Sequence, residues 1–317
     1  MHLAVATEEQ KAQRDALTYS EWGKRLTVEG YVSREQRLRA HPWASGMVTW
    51  LLCGEDGGVL ASCETFRTDS FLRSPDGSLA PGDSFAIASV FTEERLRGHG
   101  YATRLMDLLA AEMARQPRAH AALLFSDVGP RLYARSGYHE LPAWDWLLSP
   151  TPGDPSALVD SLLPEDGLDW ALGRLRRPEA PFSFWPTPAQ LDWHLERGRI
   201  YVDYLPGCSL PVSAGATVGE STAVWGLVGR KDELTVLMLD AHSPEHARAL
   251  LGAAQREAHR SGLSRVVLWE EPALAPLLPL VEGASRVARE GSLPMVRPLR
   301  RDLPLADPLP VPRGLWV

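Results

Sequence analysis

Two hydrophobic periods alternate along the chain. Through Tyr101–Gln116, Leu105, Met106, Leu108, Leu109 and Met113 recur at the spacing of a helix with one buried face. Shorter apolar runs bounded by turn residues surround it and predict strands at His2–Thr7, Met47–Cys53, Val59–Arg67, Phe85–Phe91, Ala121–Phe125 and His139–Leu148. Glu55-Asp56-Gly57-Gly58 reads as the hairpin between the second and third of these. Glu8–Ala40 reads as mostly helical with a break around Gly30, and Pro130–Ser136 as a short helix.

The stretch Ser149-Pro150-Thr151-Pro152-Gly153-Asp154-Pro155 interrupts helix and ladder alike, which sets a boundary between units 1–150 and 151–317. Beyond it the pattern resumes. Thr187-Pro188-Ala189-Gln190 is a capping box that opens a helix carrying Trp193. Strands are predicted at Arg199–Leu205, Ala223–Val228, Leu234–Leu239 and Leu263–Trp269, with one or two more in Arg286–Val296. Gly229–Glu233 reads as a hairpin, and Ser243-Pro244 as the start of a helix that runs to Arg260 and stops at Gly262. The tail ends in Leu315-Trp316-Val317, an apolar terminus expected to dock on the body.

Composition narrows the class. With 44% hydrophobic residues in 317, the chain has the make-up of a globular protein. Its formal charge of -7 disfavours a nucleic-acid or anionic-membrane partner, which needs a basic footprint, and leaves room for a cationic small molecule. Cys53, Cys63 and Cys208 form neither a disulfide framework nor a zinc pair, and the nine histidines show no ligand spacing, so no metal is expected. The absence of a signal-like N-terminus and of a long apolar run points to the cytoplasm.

The chemistry concentrates in Ser89-Val90-Phe91-Thr92-Glu93-Glu94-Arg95-Leu96-Arg97-Gly98-His99-Gly100-Tyr101-Ala102-Thr103. A strand, a loop with two glycines and an amphipathic helix make an anion cradle. Glycines let the backbone approach closely and adopt positive φ. The first helical turn leaves N–H groups without intrahelical partners, and the peptide dipoles favour negative charge there. A pyrophosphate fits such a site, and Arg97 and Arg104 carry the charge to assist it. The loop has no lysine for a P-loop and no third glycine for a dinucleotide fingerprint. Arg97, Gly100 and Ala102 do satisfy R-x-x-G-x-A, and Phe125-Ser126-Asp127-Val128-Gly129-Pro130-Arg131-Leu132-Tyr133 … Gly137-Tyr138 follows at a matching interval.

In these two blocks, roughly residues 80–145, the chain resembles the GNAT acyltransferases. The resemblance implies an α/β (α+β) fold with a mixed central sheet of splayed strands flanked by helices. It implies acetyl-CoA as cosubstrate, held by Val90, Phe91 and Thr92 along the strand and by Arg97, Gly98, His99, Gly100, Tyr101, Ala102 and Thr103 around the diphosphate. A neutral amine would then attack the thioester directly, and Tyr133 stands where the family's tyrosine acid stands. The proton leaving the amine needs a base. Glu64, a mid-strand carboxylate that must be exposed or paired, and Asp127, just past a buried strand, are the candidates. Water and a terminal carboxylate at Val317 are the others.

The junction Asp240-Ala241-His242-Ser243-Pro244 in the second half has neither glycine nor arginine. A second GNAT-like unit is therefore expected there in degenerate form, walling the substrate pocket. Tyr31-Val32-Ser33-Arg34-Glu35, Cys63-Glu64-Thr65-Phe66 and the cradle are similar to the fungal lysine N6-acetyltransferases, GNAT enzymes with an added C-terminal domain. That resemblance implies N-acetylation of a small cationic amine such as lysine. Two alternatives stay open: a tandem-GNAT enzyme acting on aminoglycoside-like polyamines or protein lysines, and a non-catalytic acyl-CoA sensor.

Overall fold

A computed structural model describes all residues except 24, 155, 165–166, 206, 208 and 228–231. Cys208 and most of the predicted turn at Gly229–Glu233 lie outside the described residues. The first half runs β1 (His2–Val5), α1 (Glu8–Trp22), α2 (Val28–Ala40), β2 (Val48–Cys53), β3 (Val59–Arg73), β4 (Leu79–Phe91), α3 (Tyr101–Met113), β5 (Ala119–Ser126), α4 (Arg131–Ala134), β6 (His139–Glu140) and β7 (Trp144–Leu148). The second runs β8 (Asp160–Leu162), α5 (Leu168–Arg174), β9 (Phe182–Trp185), α6 (Pro188–Tyr204), β10 (Gly215–Val218), β11 (Ser221–Leu227), β12 (Glu233–Asp240), α7 (Pro244–Arg260), β13 (Arg265–Trp269), β14 (Ser285–Ala288) and β15 (Leu293–Pro298).

Two mixed sheets result among the described residues. One has the order β1-β2-β3-β4-β5-β15-β6 with β9 added on β3, and the other β14-β7-β13-β12-β11-β10-β8. Each has one parallel pair, β4–β5 and β12–β13, bridged by the helix between them, α3 and α7. The two sheets also trade strands. β15, late in the chain, pairs with β5 (Val296 opposite Leu123), and β7 pairs with β13 (Trp146 opposite Leu268). Neither sheet is therefore built from one side of residue 150 alone. The apolar face of α3 (Leu105, Met106, Leu109) packs on Cys63, Ile87 and Leu124; that of α7 (Leu250, Leu251, Ala254) packs on Trp225, Val236 and Val266.

Four local expectations change. The first helix ends at Trp22 and the second starts at Val28, so the break does not fall at Gly30; Gly30 lies inside α2, where an added Cβ would stand 3.3 Å from the Tyr204 ring. Arg199–Leu205, with the strand-like run Ile200-Tyr201-Val202, is the end of α6. The helix starts firmly at Thr187, whose hydroxyl accepts from Gln190 N at 3.1 Å, and it buries Ile200 and Tyr201. His139–Leu148 is two strands in different sheets. β3 and β4 run well past their predicted ends, joined through a turn at Asp76-Gly77 in which Asp76 accepts from Ser78 N. The tail docks as expected, with Leu315 fully buried in the apolar cluster of Phe182 and Phe184. Among the described residues no helix is long and apolar enough to cross a membrane.

Candidate active site

β4 and β5 pair only as far as Ile87 opposite Leu124, although β4 continues to Phe91. Beyond Ile87 the strands part. The cause lies on the other edge of β4, where the register against β3 shifts between Ser62–Phe91 and Glu64–Ala88, a bulge with Ser89 at φ 52. The splay opens into a cavity of about 1260 Å³. Val90, Phe91 and Thr92 line it, followed by Arg97, Gly98, Gly100, Tyr101, Ala102 and Thr103 at the mouth of α3. His99 does not line it; its exposed ring lies 5.7 Å from that of Tyr101.

Gly98 and Gly100 have φ of 84° and 79°, and Gly100 is the residue at which α3 begins. An added Cβ on either would meet no atom within 4 Å; it would project into open space at the cradle. Arg97 Nε donates to the Thr92 carbonyl at 3.1 Å, and Nη2 reaches Glu21 of α1 at 2.6 Å. Thr92 Oγ1 is buried beside the splay without a hydrogen-bond partner among the described residues. Uncovered first-turn amides, two positive-φ glycines, a guanidinium and an unpartnered hydroxyl suit a diphosphate with a polar chain running into the gap. The residues present thus fit acetyl-CoA.

The bulge is held from outside the sheet by Arg14 of α1. Its Nη2 donates to the Ser89 carbonyl at 2.7 Å, Nε to Ser62 Oγ at 2.9 Å and Nη1 to Glu64 Oε1 at 2.9 Å. Glu64 is thus paired and buried, with 4% exposure, yet lines the cavity. Burial raises its carboxyl above the ordinary range against the pull of Arg14, and the nearby Glu35 adds to the rise. Glu35, also facing the cavity, behaves oppositely. Burial opposes its charge, but Arg34, which donates to it from Nε at 2.8 Å, keeps it below the usual carboxylate value. Two neighbouring carboxyls thus have their affinities for protons pushed apart.

Tyr133 lines the cavity from α4, with 7% exposure and its ring edge-on to Tyr138. Burial raises its phenol above the ordinary value, so it holds its proton at neutral pH. Cys63, fully buried nearby in the same apolar cluster, has its thiol pushed up to about 12 by burial. Asp127 reaches the cavity but is exposed, and its Oδ1 accepts from Ser292 N at 2.8 Å, tying the end of β5 to the turn between β14 and β15. Ser126, not Asp127, ties the turn before Pro130, its hydroxyl donating to Gly129 O at 2.7 Å. Val317 lies on the cavity wall and packs on the cluster of Phe66 and Trp193.

Several residues that line the cavity or brace its wall from behind stand out in no periodicity of the sequence. Arg14, Arg34 and Arg39 sit on polar helices, where nothing marks one charged face as the buried one. Arg39 forms a bidentate pair with the wholly buried Asp15. Trp193, whose Nε1 donates to Leu38 O at 3.2 Å, packs with Trp43 and Phe66, and Phe66 and Trp193 line the cavity. Among the described residues no group of three or more His, Cys, Asp or Glu is placed to hold a metal ion.

Comparison with known proteins agrees with this geometry. Residues 16–138 match the acetyltransferase (GNAT) family, and residues 173–307 match the LYC1 GNAT-like C-terminal domain. A lysine acetyltransferase of Yarrowia lipolytica is 24% identical over 327 residues, covering 81% of this chain and 82% of the relative. Among solved structures, a probable N-acyltransferase of Enterococcus faecalis aligns with a TM-score of 0.65 at 13% identity, covering 96% of this chain and 74% of the other. A GCN5-related N-acetyltransferase of Anabaena variabilis aligns at 0.62 with 14% identity, covering 94% and 73%. With a GNAT match in each half and the splayed, glycine-cradled fold between them, the chain belongs to the GNAT superfamily of N-acetyltransferases.

Proposed function

We propose that the protein transfers the acetyl group of acetyl-CoA to a primary amine of a small cationic acceptor, with free lysine the first candidate. The name of the Yarrowia relative, a lysine acetyltransferase, and the acidic lining from Glu35 and Glu64 support that choice. Residues 1–150 carry the cradle, and 151–317 supply most of the far wall. The amides of Gly98–Thr103, with Arg97, hold the diphosphate, and the unpaired edge of Val90–Thr92 receives the pantetheine arm. When bound, acetyl-CoA supplies the activated acyl group; alignment of the amine against it does most of the remaining work.

Glu64 takes the proton from the incoming ammonium, directly or through water, and Arg14 keeps it aimed at the cavity. Glu35 stays ionised and holds the acceptor's positive charge. Tyr133, kept protonated by burial, donates to the departing sulfur. The buried Cys63 is a poor nucleophile with its thiol held protonated, which favours direct attack over an acyl-enzyme. Asp127 is assigned to the turn at Ser292 and not to the proton. The observation that carries this reading is the meeting of Glu64, Tyr133 and the Gly98–Thr103 cradle on one cavity. Screening amines, free lysine included, for thiol release from acetyl-CoA tests it. Release with lysine well above hydrolysis is expected. Tight acetyl-CoA binding with no release from any amine would instead make the protein an acyl-CoA sensor.

A further inference from the structure

The cavity wall holds a second charged feature that acetyl transfer alone does not require. Arg313 lies between two indoles, its guanidinium carbon 4.6 Å from the Trp269 ring centroid and 4.1 Å from that of Trp316. It lines the cavity with only 8% exposure. Its Nη1 is sealed from solvent and has no hydrogen-bond acceptor among the described residues. Among the described residues no carboxylate pairs with it. Asp145 and Glu233, whose charges act on it, are each committed elsewhere, Asp145 to Arg289 at 2.9 Å and Glu233 to Arg265.

A buried guanidinium without a counter-ion is an unusual expense for a fold. Burial, together with Arg197 and Arg289 close by, lowers its pKa to about 9, so the surroundings resist its positive charge. The indole faces ease the cation's burial but occupy none of its N–H donors. The planar donor fork is left for something that enters the cavity, and its geometry matches a carboxylate. Glu64 and Glu35 face the same cavity and suit the amine. The two kinds of group are joined by one wall of rings: Phe66 to Trp193 at 5.9 Å, and Arg197 between Trp193 at 5.5 Å and Trp316 at 4.5 Å.

We infer that Arg313 anchors a carboxylate of the acceptor, so that the acceptor is an amino acid carrying a further primary amine and not a plain polyamine or aminoglycoside. This rests on the transferase reading above, since it places the carboxylate relative to the amine that Glu64 deprotonates.

The test compares L-lysine, L-lysinamide and cadaverine as acceptors by thiol release, with wild-type protein and with Arg313→Met. For the wild type, kcat/KM for lysine should exceed that for the other two by about 100-fold, carried mainly by KM. Arg313→Met should collapse that ratio to near one. A wild-type ratio near one, or a ratio that survives in Arg313→Met, overturns the carboxylate anchor while leaving the transferase intact. A loss of acetyl-CoA affinity in Arg313→Met with an unchanged lysine ratio also overturns it, by assigning Arg313 to the cosubstrate. Should Arg313→Met not fold, the wild-type ratio alone decides. Absence of thiol release with every amine overturns the transferase reading, and this inference with it.

Discussion

Arg14 and Glu64 form a buried ion pair, Nη1 to Oε1 at 2.9 Å, and the same guanidinium grips the Ser89 carbonyl that makes β4 bulge. One side chain on α1 thus sets both the opening between β4 and β5 and the aim of the carboxylate at its edge. Arg14→Met should remove both effects. Leaving Glu64 buried and unpaired is expected to destabilise the fold by about 3–5 kcal/mol in urea titrations. Loss of Arg14 also removes the pull that opposes the raised Glu64 pKa, so the acid limb of the rate profile should move to higher pH. A variant as stable as the wild type with an unmoved limb would show that the pair does neither.

Glu64 is the group whose titration should govern the rate at low pH. Its carboxyl is raised above the ordinary value, and only the ionised form accepts a proton. Activity should therefore rise with pH through that raised pKa. Glu64→Gln should lower kcat by about 10²–10⁴-fold at pH 8, with a smaller loss at low pH where the wild type is itself protonated. Persistence of the same acid limb in Glu64→Gln would assign the limb to another group.

Tyr133→Phe removes the phenolic proton while keeping the ring that packs on Tyr138. It should lower kcat by roughly 10–100-fold and leave acetyl-CoA affinity, read by calorimetry, nearly unchanged. An unchanged kcat would reduce Tyr133 to a packing residue.

Gly100→Ala places a methyl group at the mouth of α3 and forces a positive φ on an L residue. A stability loss of about 1 kcal/mol is expected from the backbone alone. If the cradle is filled by a diphosphate, acetyl-CoA affinity should fall at least about tenfold as well. Unchanged affinity would move the diphosphate elsewhere.

His194 reports on the docked tail. It is buried, lies 3.2 Å from the Gly314 carbonyl, and stacks on Trp316. Burial, helped by Arg313 and Arg197, lowers its pKa to about 3. The unfolded chain binds the proton near pH 6.5 and the folded chain does not, so stability should fall as pH drops from about 6.5 toward 3. Thermal melts across that window should show a shallower slope in His194→Gln. Equal slopes would mean that the histidine titrates freely in the folded state.

Where the chemistry is local, the chain declares it. Gly98, Gly100 and the amphipathic α3 sit within a few residues of one another, so the cradle is legible without tertiary information. Glu64 stands out because a carboxylate in an apolar strand is anomalous. Its partner does not, because Arg14 lies 50 residues away on a helix with polar residues on most of its surface. The trade of β7 and β15 is hidden for a related reason: the pattern marks one or two strands in Arg286–Val296 but says nothing of which edge receives them. Arg199–Leu205 misleads because Ile200, Tyr201 and Val202 favour strands while tertiary burial in α6 prevails. Arg313 is invisible in sequence, since only the tertiary fold seats it between Trp269 and Trp316 and commits Asp145 and Glu233 to other arginines.

Direct attack by the amine is the claim on which the mechanism turns. A single-turnover reaction with enzyme in excess over acetyl-CoA and saturating lysine, quenched and weighed by mass spectrometry, tests it most directly. One N-acetylated acceptor for each thiol released, with no acetyl group on the protein at any time, is expected. Acetylated protein appearing before the acetylated acceptor, or thiol released without it, would contradict the account.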